Sequence, residues 1–183
     1  MSLKIADQLK IRMKSEKFKT VVLTDGEILA NALSGCYLAK RNNAPLIFVD
    51  FEDIQWVMEY LYQSLEDNGK IYIIGEIEGL TDKMLTSSMN CQIIRIEGDN
   101  VYEINMSSLK EIKIDSDKIL VCTGENFADS VSAIAIGLPI LLVKDALTDY
   151  QIEFLKDNNG KSIDIIGGEI AVNEDIEQQL KQF

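Results

Sequence analysis

An internal duplication constrains this chain more than any other feature of its sequence. The stretch TDGEILANALSGCYLAKRNNAPLIFVD, from Thr24 to Asp50, returns as TGENFADSVSAIAIGLPILLVKD, from Thr123 to Asp145. Each runs from an apolar strand through Thr and a Gly-Glu turn into a helix of small residues, then through Pro into a second apolar strand. Gly26, Glu27, Ala30 and Ser34 recur as Gly124, Glu125, Ala128 and Ser132 at one offset of 98 (26 to 124). Pro45 and Pro139 pair at 94, so the second copy is shorter by about one helical turn, Lys40 to Asn43, while keeping the strand that follows. IYIIGE from Ile71 matches IDIIGG from Ile163 at 92. Three blocks in the same order, at a spacing beyond solenoid periods, predict two α/β units, residues 1–94 and 95–183.

The strands within these blocks read as continuous Ile, Leu and Val rather than alternating apolar and polar residues. That is the pattern of strands covered on both faces, as in parallel sheets flanked by helices. Ile5, Leu9 and Met13 place a surface helix at the start. Strands follow at Lys19 to Leu23, Leu46 to Val49, Ile71 to Ile74 and Ile93 to Ile96. A helix from Gly26 through Ala39 and another from Asp53 to Glu66 separate the first three, and Asn68-Gly69 is the expected left-handed stop of the second. Thr81 caps a helix reaching about Ser88. Beyond it, a helix near Tyr102 to Leu109 leads to strands at Ile119 to Cys122, Ile140 to Val143 and Ile163 to Ile166. Helices at Phe127 to Ile136, Thr148 to Asp157 and Asn173 to Leu180 accompany them.

Composition narrows the chemistry. With 183 residues, 46% hydrophobic and a mean hydropathy of +0.01, the chain can bury one large core or two small ones. A net charge of −12 argues against nucleic acid and anionic membrane surfaces, which need a basic patch. The longest apolar run, Ala133 to Val143, is too short to span a bilayer, and the N-terminus lacks the apolar core of a secretory signal. Cys36, Cys91 and Cys122 form an odd set without a CxxC spacing and read as buried structural thiols. The chain contains no histidine, which removes Ser-His-Asp and Cys-His nucleophiles and every histidine-based zinc site.

Candidate binding residues gather at the predicted strand ends. Gly26-Glu27 and Gly124-Glu125 each fall between a strand and a helix, where free N–H groups and the helix dipole favour an anionic or hydroxyl-rich ligand. Asn126 continues the second turn. The alternative is that Thr24, Asp25 and Thr123 satisfy those N–H groups as turns and caps. Asn31 and Asp129 occupy equivalent helix positions, as ligand contacts or as partners in a hydrogen bond across the repeat. Gly75, Gly167 and Gly168 follow the third strands, where close approach of a helix or ligand demands a missing side chain. Arg95, near the junction, faces a phosphate or pairs with an acidic neighbour such as Glu97 or Asp99.

These blocks resemble the cell wall binding repeat of type 2, a family found in tandem on Gram-positive surface proteins. The second copy carries the resemblance best, in RIEGDNVYE from Arg95, TGENFADSVSA, PILLV and IIGGEIAV. The family opens on Arg-apolar-x-Gly-x-x-Arg-Tyr-x-Thr; Arg95, Gly98 and Tyr102 match, while Val101 and Ile104 replace Arg and Thr. The first copy keeps DGEILANALS, PLIFV and IIG but lacks the opening motif. The resemblance implies tandem Rossmann-like or flavodoxin-like units with mostly parallel three- to four-stranded sheets flanked by helices. It also implies a non-catalytic, extracellular module that anchors a protein to an anionic cell-wall polymer, with no cofactor and no metal. Such repeats usually come in threes around a pseudo-threefold axis, so a third repeat or a homo-oligomer is the expected partner.

Two other readings stay open from the residues alone. A Rossmann-like domain binding or acting on a nucleotide or sugar fits the crevices at strand ends, although G-x-G-x-x-G is absent. A phosphoacceptor receiver would use Asp50 at its strand end, with Asp25 helping to hold magnesium; the duplicate strand ends in Lys144 instead.

Overall fold

In the computed structural model, which describes residues 1–125, 127–169 and 171–183, the duplication appears as two parallel sheets with helices on their faces. The first unit runs α1 (Ser2–Met13), β1 (Phe18–Asp25), α2 (Leu29–Arg41), β2 (Leu46–Val49), α3 (Ile54–Ser64), β3 (Leu65–Ile74), α4 (Asp82–Ser88) and β4 (Cys91–Ile96). The second runs α5 (Val101–Glu111), β5 (Lys118–Thr123), α6 (Phe127–Ile136), β6 (Ile140–Val143), α7 (Asp149–Asp157), β7 (Ser162–Ile165) and α8 (Glu174–Leu180). Strand order is β2-β1-β3-β4 in one sheet and β6-β5-β7 in the other, every pairing parallel. The α/β class read from the unbroken apolar strands is what the chain adopts.

Local chemistry sets the helix starts. Asn100 accepts from the N–H groups of Tyr102 and Glu103, Thr81 from Met84, and Asn173 from Ile176. Thr148 and Gln151 form a reciprocal capping box at α7. One predicted stop is corrected. α3 ends at Ser64 rather than running on to Asn68-Gly69, and Leu65 already begins β3. Leu65 packs with Phe18 in the interior, and Asn68, at φ +59°, donates its N–H to the Asn90 carbonyl. The left-handed residue therefore serves an irregularity in the β1/β3 register, between Phe18 and Thr20, and not a helix cap.

The two units are fused through helices rather than merely strung together. α1, α3 and α4 cover one face of the first sheet, over Val21, Leu23, Ile47, Ile71 and Ile73. The other face, Val22, Tyr72 and Ile74, is covered by Leu38 and Ala39 of α2 and Ile104 of α5. The same α2 turns Ala30 and Leu33 onto Leu120, Cys122 and Leu142 of the second sheet. α5 likewise sends Met106 and Leu109 into the core beneath α7 and α8. The small residues of α2 permit this. A Cβ on Gly35 would stand 3.1 Å from Leu46, 3.2 Å from Ile74 and 3.3 Å from Val22.

Polar groups in the joint are matched as closely as the apolar ones. Asn105, fully buried, donates to Ser34 Oγ (3.2 Å) and the Ile140 carbonyl (3.0 Å) and accepts from the Leu142 N–H (2.9 Å). Ser108 Oγ donates to the Ser34 carbonyl (2.6 Å). At the rim Lys40 donates to the Gly137 carbonyl, and Asp115 binds both Tyr37 and Arg41.

Candidate functional site

Both Gly-Glu turns sit at the C-terminal ends of the first strand of their sheets, where open α/β sheets offer a crevice. In the first unit the N–H groups there are already taken. Asp25 accepts from the N–H of Glu27 (3.0 Å) and Ile28 (2.5 Å) through one oxygen and from Asn31 Nδ2 (2.9 Å) through the other. The anion seat at the start of α2 is thus filled by the chain's own carboxylate. In the second unit Thr123 stands in Asp25's place and its hydroxyl accepts from the Glu125 N–H (3.1 Å). The bonds described at both turns, Asp25 to Glu27 and Ile28 and Thr123 to Glu125, are those of turns and caps.

Gly26 faces the Asp50 carboxylate, which any side chain there would meet. Glu27 is exposed. Asn31 is buried, and its amide nitrogen lies 2.5 Å from where a Cβ on Gly75 would be, so the glycine after β3 makes room for Asn31. Asn31 Oδ1 and Thr24 Oγ1 are interior and, among the described residues, without hydrogen-bond partners, a cost of about 1–3 kcal/mol each. Glu125 pairs with Lys144 (3.0 Å), whose ammonium that contact holds above its ordinary pKa. Gly167 and Gly168 are exposed, and no atom of the described residues lies within 4 Å of a Cβ at Gly168. Asn126 and the side chain of Asp129 lie outside the described residues. Arg95 is not drawn into either crevice; it binds Asp82 through two nitrogens (2.9 and 2.7 Å).

A different feature escaped the sequence reading. Between the first turns of α5 and the β6–α7 connection lies a cleft of about 680 Å³. Its floor carries Tyr102, whose ring would meet a Cβ on Gly124 at 3.2 Å and whose hydroxyl is buried with no hydrogen-bond partner of good geometry among the described residues. Desolvation, and then the charge of nearby Glu125, raise that phenol above the usual tyrosine pKa. At the rim Lys110 Nζ stands 5.1 Å from the centre of the Tyr150 ring, which remains 64% exposed. Tyr102 belongs to a recognisable motif, but nothing local marks Lys110 and Tyr150, 40 residues apart, as neighbours.

The sequence profile of the cell wall binding domain 2 family matches residues 1–84 and again 95–177. The amidase enhancer of Bacillus subtilis is 30% identical over 169 residues, 89% of this chain and 23% of that protein. The N-acetylmuramoyl-L-alanine amidase LytC of the same organism is 24% identical over 168 residues, 88% of this chain and 34% of that one. Among solved structures, Cwp8 from Clostridium difficile superimposes with a TM-score of 0.84 at 24% identity, over all of this chain and 32% of its own. Cwp6 from the same organism gives 0.82 at 22%, over all of this chain and 30% of its own. These two share the fold, and the chain spans a third or less of each.

Proposed function

The chain belongs to the cell wall binding domain 2 family, and from that premise we propose that it works by adhesion, as a non-catalytic module on a polymer of the bacterial cell wall, outside the cell. The observation that carries this reading is the family match over both halves of a duplicated α/β fold. Chemistry at the strand ends supports it. Asp25 and Thr123 are engaged by the chain's own N–H groups, and Glu125 by Lys144. The Cys36 thiol is pushed up to about 11 by burial, which keeps it protonated and unreactive near neutral pH.

We take the polymer to be anionic, in keeping with the expectation for such repeats. A surface of net charge −12 resists a polyanion. Contact then needs a local basic groove, a bridging divalent cation or the polymer's sugar hydroxyls. The test is sedimentation of the protein with purified cell walls across rising salt, alongside an assay for released wall fragments. Retention without release is expected. Soluble fragments appearing in proportion to protein would defeat the non-catalytic reading.

Its partner is a third unit of the same kind. The contact between the two units is head-to-tail, α2 of one against α5 and β6 of the other. α6, the counterpart of α2, leaves Val131 and Ile136 exposed, and α1, the counterpart of α5, leaves Ile5 and Ile11 exposed. Such faces are liabilities unless covered.

A further inference from the structure

The geometry points to the cleft between α5 and the β6–α7 connection as a subsite for an uncharged, hydroxyl-rich sugar ring. This rests on the adhesive reading and names the chemistry through which the second unit grips its polymer. Charge excludes the obvious alternative. Four carboxylates line the cleft, Glu97, Glu103, Asp145 and Asp149, against two lysines, Lys110 and Lys144, and Lys144 is already paired with Glu125. A phosphate would enter a field of the wrong sign.

A sugar ring asks for other things, and the cleft holds them. The C–H face of a pyranose is apolar surface that packs on an aromatic ring, while its hydroxyls need donors and acceptors around the edge. Tyr150 supplies the ring, posed by Lys110 and by its place just inside the capping box of α7. The carboxylates supply acceptors, and the ammonium of Lys110 supplies donors. At the floor, the Tyr102 hydroxyl has no hydrogen-bond partner of good geometry among the described residues.

The duplication furnishes an independent observation. At the offset of 94 that pairs Pro45 with Pro139, Trp56 of α3 pairs with Tyr150 of α7. The neighbours keep their burial under that pairing: Val57 and Gln151 are each 2% exposed, and Leu61 and Leu155 0% and 2%. Trp56 and Tyr150 instead both face solvent, at 72% and 64%. Each unit thus holds a large aromatic ring outward at the same point of its fold, where packing does not require one.

The test uses the neutral oligosaccharides that hydrofluoric acid releases from the phosphate-linked polymers of Bacillus subtilis walls by cleaving their phosphodiesters, and whole walls beside them. Wild-type protein should bind the phosphate-free fragments with an affinity that changes less than about twofold from about 0.05 to about 0.5 M salt. Tyr150→Ala should weaken binding about tenfold, with the melting temperature unchanged because the ring is exposed. Tyr150→Phe, which keeps the ring, should restore affinity to within about twofold. Equal retention of wild type and Tyr150→Ala on whole walls, or loss of all binding when phosphate is removed, overturns the subsite while leaving adhesion standing. Failure of the wild type to bind whole walls overturns both.

Discussion

Asn105 shows how much one side chain carries in the joint. Its amide makes three hydrogen bonds in the interior, two of them to the backbone of β6. Asn105→Ala leaves a buried N–H and a buried carbonyl unpaired, so stability should fall by about 3 kcal/mol, read as a lower midpoint in urea with an unchanged slope. Sequence gave no sign of this role, because an asparagine in a short helix looks the same whether it meets water or another unit's strand. Arg95 is the converse case. Pairing with an acidic neighbour was foreseeable, but the partner is Asp82 from α4 and neither Glu97 nor Asp99.

α2 is the element on which the architecture turns, since it packs one face on each sheet. Gly35→Val would drive methyl groups into Leu46, Ile74 and Val22, already at contact distance from a bare Cβ. The expected cost is about 3 kcal/mol, seen as a drop in melting temperature, with Gly35→Ala much milder. Helices and strands of this fold were legible because their signals are local, in the unbroken Ile and Val runs and in Thr81 and Thr148 at helix starts. The early onset of β3 was not, because Leu65 joins the strand through its contact with Phe18, 47 residues away. The Tyr102–Tyr150 cleft was hidden for the same reason, its walls being brought together only by packing of α5 against the second sheet.

For the whole molecule, sharing of α2 and α5 between two cores predicts one cooperative unfolding event. Calorimetric and van't Hoff enthalpies should agree, and two resolved transitions would mean that the units are energetically separate. The polar bonds of the joint have one more effect. β6 lies at the border of its sheet, and its outward backbone groups are occupied by side-chain amides: Asn105 at Ile140 and Leu142, and Gln151 at the Leu142 carbonyl (2.8 Å). An unguarded border strand of sequence ILLV would be a template for fibril growth. Here the same contacts that bind neighbour to neighbour also keep strangers from zipping on.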